Sequence, residues 1–189
     1  EFKKNGSSLS AHPSVNSDLG IEFSSGSLGQ GLSLGVGSAL GLKRKKNMQS
    51  RVFVLLGDGE CDEGSVWEAA MSAAHFRLDN LVGVVDSNGL QQDGATDEIM
   101  GLGAIEGKFL AFGWETLVVD GHSVRELMSA FDRRPRRPLM VIAKTVKGKG
   151  ISFMEGNRAW HHSRLSSGQF ESALAEVTEQ KGRANAGVF

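Results

Sequence analysis

Cysteine is almost missing from this sequence of 189 residues, which contains only Cys61. A single cysteine cannot form an internal disulfide, and this is typical of a reducing compartment, so we expect a cytoplasmic location. Long apolar runs are also lacking, since none approaches the roughly 20 residues that a helix needs to cross a bilayer. The sequence begins without a signal-peptide pattern. We therefore expect no membrane partner.

An excess of charge of either sign is missing as well. The 21 Lys and Arg residues nearly balance the 22 Asp and Glu residues, and the formal net charge is −1. One basic run, residues 43–46, is interpreted as the solvated end of a helix, so we expect no nucleic-acid partner. Internal repeats are absent too, and the length suits one domain with a sizeable core.

The most informative stretch is residues 51–94, which predicts a strand, a glycine-rich turn, a helix and a second strand. The apolar run RVFVLL, residues 51–56, predicts a strand that is buried on both faces. The Ala-rich residues 65–76 predict a helix, and residues 81–86 predict a second buried strand. A parallel βαβ unit places the carboxyl ends of both strands at one edge of the sheet. We therefore expect Asp58 and Asn88 to lie close together, at the edge where such sheets bind ligands.

The chemistry of this pair indicates a cation site. A carboxylate, an amide oxygen and a backbone carbonyl are the hard oxygen donors that Mg²⁺ or Ca²⁺ takes while it also binds a phosphate. A turn in which Asp58 caps a helix and Asn88 sits in a tight loop is the alternative. The distance to the Asn and the flanking residues favour the cation site. Cys61 lies in the same turn, and we interpret it as a small packed residue rather than a reactive thiol.

The remaining residues predict further helices and strands of the same kind. The predicted helices cover residues 31–46, 104–112, 123–134 and 170–180, and the predicted strands cover residues 114–121 and 137–146. Ser123 and Glu126 have the spacing of a capping box at the start of one helix. The predicted fold class is α/β, with a mostly parallel sheet flanked by helices. One domain is expected over residues 1–180, followed by a polar, disordered tail over residues 181–189.

A GDG turn followed at this spacing by an Asn at a strand end resembles the thiamine diphosphate motif. The residues GDGECDEGSVWEAAMSAAHFRLDNL and VDSNGLQQDG are similar to transketolases, in particular to the N-terminal, pyrophosphate-binding subunit of split transketolases. The resemblance covers residues 3–178. It implies that Asp58, the Asn88 side chain and the Leu90 carbonyl bind Mg²⁺, and that Gly59 lies against the diphosphate. Ser87 replaces the first of the two Asn-like positions of the motif.

The resemblance also assigns a role to the loop GSLGQG and to an acid on the helix inside the GDG motif. Gly26, Ser27 and Leu28 match a loop that lines the aminopyrimidine and thiazolium rings, with Ser27 in place of the usual Pro. From the residues alone, such a glycine-rich loop at a helix start also suits a phosphate. Glu63 matches an acid near the cofactors at the dimer interface, where we expect interface or proton-network work. Its alternative is an exposed helix acid.

Two histidines are the main candidates for contact with substrate. His12, in SAHPSVNSDLGIEF, is similar to the histidine of the family's GHP segment, which contacts substrate or relays protons. His161, in WHHS, matches the family's WHG segment, where the histidine contacts the diphosphate or the substrate; His162 is a lesser candidate. A histidine in a loop is otherwise a solvated residue. His122 is interpreted first as a turn residue and second as an active-site residue.

The resemblance implies a transketolase that moves a two-carbon ketol unit from a ketose, or ketose phosphate, to an aldose. It implies thiamine diphosphate and Mg²⁺ as cofactors, and a C-terminal, pyrimidine-binding partner subunit in a heterotetramer. That partner would supply the glutamate that activates the cofactor, so this chain alone is expected to be inactive. The family's upstream segment with further histidines is not in this sequence. Alternatives are a component of a deoxyxylulose phosphate synthase-like or E1-like 2-oxoacid decarboxylase enzyme, or a non-catalytic paralogue that acts as a binding module.

Overall fold

The computed structural model describes residues 4–47 and 49–185, with side chains described up to residue 180. Within this part of the chain, four parallel strands form one sheet in the order β1-β2-β4-β3. The strands are β1 (Val52–Gly57), β2 (Leu81–Ser87), β3 (Glu115–Asp120) and β4 (Leu139–Lys144). The helices are α1 (Gly31–Arg44), α2 (Gly64–His75), α3 (Thr96–Met100), α4 (Ile105–Ala111), α5 (Val124–Asp132) and α6 (Ser167–Asn185). The predicted α/β fold class is confirmed.

Strands β1 and β2 with helix α2 form the predicted parallel unit. β1 pairs with β2 from Val52 opposite Leu81 to Gly57 opposite Asp86. The pairing continues one step further, since the backbone N–H of Asp58 donates to the carbonyl of Asp86 at 3.1 Å. The carboxyl ends of the two strands therefore lie side by side, as a parallel unit requires.

Two apolar clusters cover the two faces of the sheet. On one face, α1, α2 and α4 pack against the strands around the buried side chains of Leu56, Trp114 and Met140. On the other face, α5 covers a smaller cluster that includes Val82, Ala130 and Val141. The larger cluster supports the carboxyl edge of β1 and β2, so the residues that follow these strands stand on a rigid base.

The prediction that β1 is buried on both faces is wrong. Its side chains alternate between buried and exposed, and Phe53 and Leu55 are 52 % and 72 % exposed. β1 lies at the edge of the sheet, and the buried residues of the cluster under α5 come from β2, β4 and α5. From β1, Phe53 meets this side through an edge-on contact with the Phe131 ring of α5, at 5.6 Å between ring centroids. A strand with apolar residues on both faces is therefore not always buried by helices on both faces.

Several helix boundaries differ from the prediction. Helix α3 lies where no helix was predicted, and Asp97 and Glu98 in its first turn favour a helix start. The capping box before α5 is half formed: the Ser123 hydroxyl accepts from Glu126 N at 3.3 Å, but the Glu126 carboxylate accepts from Asp120 N. Helix α6 runs to Asn185, into the predicted tail. Residues 186–189 of that tail lie outside the described residues, and the domain boundary stays a prediction.

Membrane spans are not found among the described residues. None of their helices combines the length and the apolar character that a bilayer crossing requires.

Candidate cofactor and metal site

Asp58 occupies the first position after β1 and has only 4 % of its surface exposed. Its carboxylate accepts two backbone hydrogen bonds, from Gly59 N at 2.9 Å and from Gly89 N at 2.6 Å. The second bond joins the end of β1 to the turn after β2, immediately beside Asn88. The predicted convergence of Asp58 and Asn88 at one edge of the sheet is therefore present in the structure.

Asn88 and Leu90 form the other half of this convergence. The Asn88 amide nitrogen donates to the Asp86 carboxylate at 3.2 Å, and its amide oxygen accepts from Leu90 N at 3.0 Å. Leu90 pairs with Ala95 in an isolated antiparallel bridge, which closes the loop between β2 and α3. Within the described part of the chain, no donor reaches the Leu90 carbonyl.

The donors that these two strand ends offer suit a hard cation. Asp58 offers a carboxylate, Asn88 an amide oxygen and Leu90 a backbone carbonyl, and Mg²⁺ and Ca²⁺ prefer such oxygen ligands. Among the described residues, no three His, Cys, Asp or Glu side chains cluster as a metal site. A site with one carboxylate leaves coordination positions for other ligands, as Mg²⁺ sites on phosphates do.

A cavity of about 260 Å³ opens beside Asp58. Ser87 and Lys144 line it from the ends of two neighbouring strands, and the Lys144 ammonium donates to the Ser87 hydroxyl at 3.0 Å. Thr96, which is buried, lines the cavity from α3, and its hydroxyl has no hydrogen-bond partner among the described residues. The cavity is thus lined by the Lys144 ammonium, the Thr96 hydroxyl and the Asp58 carboxylate.

The glycine-rich loop before α1 is tied to this edge by Glu60. One Glu60 carboxylate oxygen accepts from Gly29 N at 2.9 Å, and the other accepts from Gly57 N at 3.1 Å. The Ser65 hydroxyl donates to the Gly29 carbonyl at 2.8 Å. Sequence reasoning missed Glu60, because nothing in the GDGE run signals a contact with a loop some thirty residues upstream. Ser27 and Leu28 are exposed above this anchored base.

Glu63 and His12 both pack against glycines of this loop. Gly29 has a φ of +83°, and a Cβ there would lie 2.7 Å from the Cβ of Glu63. Gly26 has a φ of +141°, and a Cβ there would lie 2.7 Å from the His12 ring. Both contacts need a glycine, because larger residues disfavour positive φ and would clash. Glu63 itself is exposed at the start of α2 and makes no capping hydrogen bond.

Gly59 is covered by a side chain that the sequence did not point to. A Cβ at Gly59 would lie 2.4 Å from the Gln91 amide nitrogen, and that nitrogen donates to the Asp62 carboxylate at 2.7 Å. Gln91 therefore lies over the turn, on a side chain that can rotate away. The role of Gly59 toward a diphosphate stays a prediction.

His161 is not brought to the Asp58–Asn88 turn by any described contact. It is exposed and follows a short 3-10 turn, Arg158–Trp160, where its backbone N–H donates to the Arg158 carbonyl. The Arg158 guanidinium in turn donates to the Asp93 carbonyl, so this segment is held to the loop that follows Leu90. The roles predicted for His161 and His162 stay predictions.

His122 is a turn residue, which is the first of the two interpretations that the sequence favoured. Its Nε2 accepts from Val146 N at 2.8 Å, which connects the turn after β3 to the loop after β4. That loop, residues 147–150, borders a cavity of about 460 Å³ that Asp86 and Asn88 also line.

The same loop contains a hydrogen bond that shifts a pKa. The Gly150 N–H donates to the Glu155 carboxylate at 2.9 Å and lowers the pKa of that carboxyl.

Cys61 is packed, as predicted. It is fully buried, and burial, with smaller contributions from Glu60, Asp58 and Asp62, raises the pKa of the thiol to about 12. The thiolate is the nucleophile of cysteine chemistry, and a free thiol has a pKa of about 8.5. Almost no thiolate is therefore present in the folded protein at neutral pH.

We expect Cys61 to resist alkylation. At pH 8, iodoacetamide should modify the native protein at least roughly 100-fold more slowly than the urea-unfolded chain, because burial suppresses both the thiolate and access to it. Mass spectrometry of the alkylated protein over time measures both rates. The unfolded chain is the internal control, and a native rate within about tenfold of it would contradict this expectation.

The sequence is similar to one protein family and to individual relatives within it. Residues 1–181 match the family described as transketolase, thiamine diphosphate binding domain. The chain is 43 % identical to one of the subunits of the apulose-4-phosphate transketolase of Phocaeicola vulgatus. That match runs over 178 residues and covers 93 % of this chain and 63 % of that protein. It is 40 % identical to SqwG, a 6-deoxy-6-sulfo-D-fructose transketolase subunit of a Clostridium species. This second match also runs over 178 residues and covers 93 % of this chain and 64 % of that protein.

The fold is similar to that of solved transketolases. The crystal structure of transketolase from Campylobacter jejuni superposes with a TM-score of 0.87 at 30 % sequence identity, over 94 % of this chain and 29 % of that one. The chain thus spans less than two thirds of the length of the two subunit relatives and under a third of this longer protein. The superposition agrees with the α/β fold class that the sequence predicted.

Proposed function

Because the chain belongs to the transketolase family of thiamine diphosphate-binding domains, we propose that it binds thiamine diphosphate with Mg²⁺ at the carboxyl edge of its sheet. The observation that carries this proposal is the hydrogen bond from Gly89 N to the buried Asp58 carboxylate. That bond joins the Asp58 carboxylate, at the end of β1, to the turn after β2 that contains Asn88. A buried carboxylate beside further oxygen donors suits a divalent cation.

In this proposal Asp58, Asn88 and the Leu90 carbonyl bind Mg²⁺, with Ca²⁺ as a substitute, and Gly59 lies against the diphosphate. Support comes from the chemistry of the donors and from the uncommitted Leu90 carbonyl. Lys144 lines the cavity beside Asp58 and adds a positive charge to it. The Gln91 side chain would rotate away from Gly59 when the diphosphate binds.

We propose that Gly26, Ser27 and Leu28 line the rings of the cofactor. Their support is the anchoring of the loop through Glu60, which holds its base while Ser27 and Leu28 stay exposed. A loop with a fixed base and a free tip can present backbone and apolar groups to a ligand with little loss of entropy on binding.

We propose a transketolase-type reaction, in which a two-carbon ketol unit passes from a ketose or ketose phosphate to an aldose. Thiamine diphosphate, when bound, supplies the carbanion chemistry for the carbon–carbon bond. His12 and His161 would donate hydrogen bonds to sugar oxygens and move protons at those atoms. Glu63 would act in the interface or in its proton network. His12 is supported by its contact with the cofactor loop at Gly26.

We further propose that the active enzyme needs a second, pyrimidine-binding subunit. Support comes from two relatives, each named as a transketolase subunit, of which this chain spans less than two thirds. A heterotetramer with the cofactor at the interface fits the exposure of Leu28 and Glu63. We also propose a cytoplasmic location, since the only cysteine is buried and free.

Calorimetric titration tests the proposal. Thiamine diphosphate is titrated, with and without Mg²⁺, into the chain alone and into the chain mixed with a candidate pyrimidine-binding subunit. We expect heat of binding in the mixture that disappears when EDTA removes the metal, and transfer of a two-carbon unit only in the mixture. Absence of binding in both samples, or binding that survives EDTA, would contradict the proposal.

A further inference from the structure

Asp86 connects three strand ends at the proposed cofactor site. It lies in β2, and its backbone carbonyl accepts from Asp58 N at 3.1 Å, at the end of β1. One oxygen of its carboxylate accepts from the Asn88 amide nitrogen at 3.2 Å. The other accepts from the hydroxyl of Thr145, which follows β4. From the sequence, Asp86 was predicted only as the end of a strand.

These contacts determine which way the Asn88 amide points. An ionised carboxylate can only accept hydrogen bonds, so it must face the NH₂ side of the amide and not its oxygen. The amide oxygen is then directed away from Asp86, to the side where it accepts from Leu90 N. Metal ions bind the oxygen of an amide, so an Asn that turns over offers its NH₂ group and cannot serve as a ligand.

The Thr145 hydroxyl keeps the Asp86 carboxylate itself in place. Without that bond the carboxylate could rotate about its side chain, and the Asn88 amide would lose its fixed partner. Outer partners of this kind determine how metal ligands are oriented in many proteins, and their loss weakens metal binding. Asp86 and Thr145 come from neighbouring strands, so the sheet itself defines the geometry.

We propose that Asp86 is a positioning residue that holds the Asn88 amide oxygen toward the divalent cation. This inference rests on the proposed function, because it assigns Asp86 a part in the same Mg²⁺ and thiamine diphosphate site. Asp86 does not touch the cofactor. It acts through Asn88, and Thr145 acts through Asp86.

The test compares Asp86→Ala with Asp86→Asn in the full chain together with its pyrimidine-binding partner. Calorimetry measures the Mg²⁺ concentration at which thiamine diphosphate binding is half-saturated, so the readout does not depend on turnover. We expect Asp86→Ala to raise that concentration about 10- to 100-fold, as the loss of an outer partner does. Asp86→Asn should raise it roughly threefold or less, because its amide oxygen still accepts from Asn88 while its NH₂ donates to Thr145.

Two further variants separate orientation from charge and from unfolding. Asp120→Asn removes a negative charge from the same edge and keeps the acceptor that Asp120 offers to His122 N, so it should bind Mg²⁺ as the unmodified chain does. Thr145→Val removes only the hydroxyl, and we expect an increase of several-fold in the Mg²⁺ requirement. Thr145→Val decides the case if Asp86→Ala fails to fold, which circular dichroism would reveal.

The outcomes distinguish this inference from the proposed function. An unchanged Mg²⁺ requirement in folded Asp86→Ala, or in Thr145→Val if the former unfolds, overturns the positioning role alone. Equal losses in Asp86→Asn and Asp86→Ala also overturn it, since charge and not orientation would then be responsible. Absence of Mg²⁺-dependent binding in the unmodified chain with its partner would overturn the proposed function, and the inference with it.

Discussion

An Asp58→Ala variant is expected to lose Mg²⁺-dependent binding of thiamine diphosphate while it keeps its fold. Asp58 is the only carboxylate among the three proposed ligands, so its removal takes away the formal negative charge of the set. Mg²⁺ gives up its water reluctantly and depends on carboxylates and phosphates for compensation. The loss should exceed the roughly 10- to 100-fold that outer partners contribute.

The same carboxylate also supports the turn, and this structural part has to be measured separately. Asp58→Ala leaves the N–H groups of Gly59 and Gly89 without their acceptor. Gly59 is half-buried and Gly89 is exposed, so water can partly replace the carboxylate, and each N–H should cost no more than the about 1–3 kcal/mol of a fully buried orphaned donor. Since domains unfold with about 5–15 kcal/mol, the variant should remain folded, with a lower midpoint in urea.

Asp58→Asn and Asp93→Ala are the matched controls. Asp58→Asn keeps an oxygen that accepts from one of the two N–H groups but removes the charge, so it should be more stable than Asp58→Ala and still bind Mg²⁺ poorly. Asp93→Ala removes an exposed acid from the loop after Leu90 and should bind as the unmodified chain does. Thiamine diphosphate binding by Asp58→Ala with unchanged affinity and unchanged dependence on Mg²⁺ would exclude Asp58 as a ligand.

The fold was predictable to the extent that local patterns decide it. Short apolar runs predicted all four strands, and small or amphipathic segments predicted every helix but α3. The pattern could not say which strand lies at the edge, because strand order depends on contacts between distant parts of the chain. Phe53 and Leu55 are exposed for that reason, although they look like core residues in sequence.

The meeting of Asp58 and Asn88 was predictable because one topological rule brings it about: parallel neighbours end at the same edge. No such rule exists for the residues around them. Glu60 holds Gly29 across a gap of 31 positions, and Asp86 meets Thr145 across 59. These contacts depend on how loops fold over the edge, and the sequence contains no periodic signal for them. The roles of His12, His161 and Glu63 stay predictions.

The second large effect concerns the core beneath this edge. A Trp114→Ala variant is expected to lower the free energy of unfolding by about 3–5 kcal/mol, the range for large aromatic residues cut back to alanine in a core. Trp114 is fully buried, stands edge-on to Phe109 at 5.4 Å between ring centroids, and donates from its indole nitrogen to the Ala70 carbonyl at 2.9 Å. The variant loses ring contacts, a hydrogen bond and filled volume together.

Urea unfolding followed by far-ultraviolet circular dichroism measures this loss. Trp114→Phe keeps a ring but not the indole N–H, so its loss should fall between those of the alanine variant and the unmodified chain. Phe170→Ala, on the exposed side of α6, is the surface control and should change stability by less than about 0.5 kcal/mol. Because α2 packs on Trp114 and begins just after the turn that contains Asp58 and Gly59, Trp114→Ala should also weaken thiamine diphosphate binding at temperatures near the unfolding midpoint of the variant. A stability loss below about 1 kcal/mol would mean that neighbouring side chains refill the space, which a well-packed interior rarely allows.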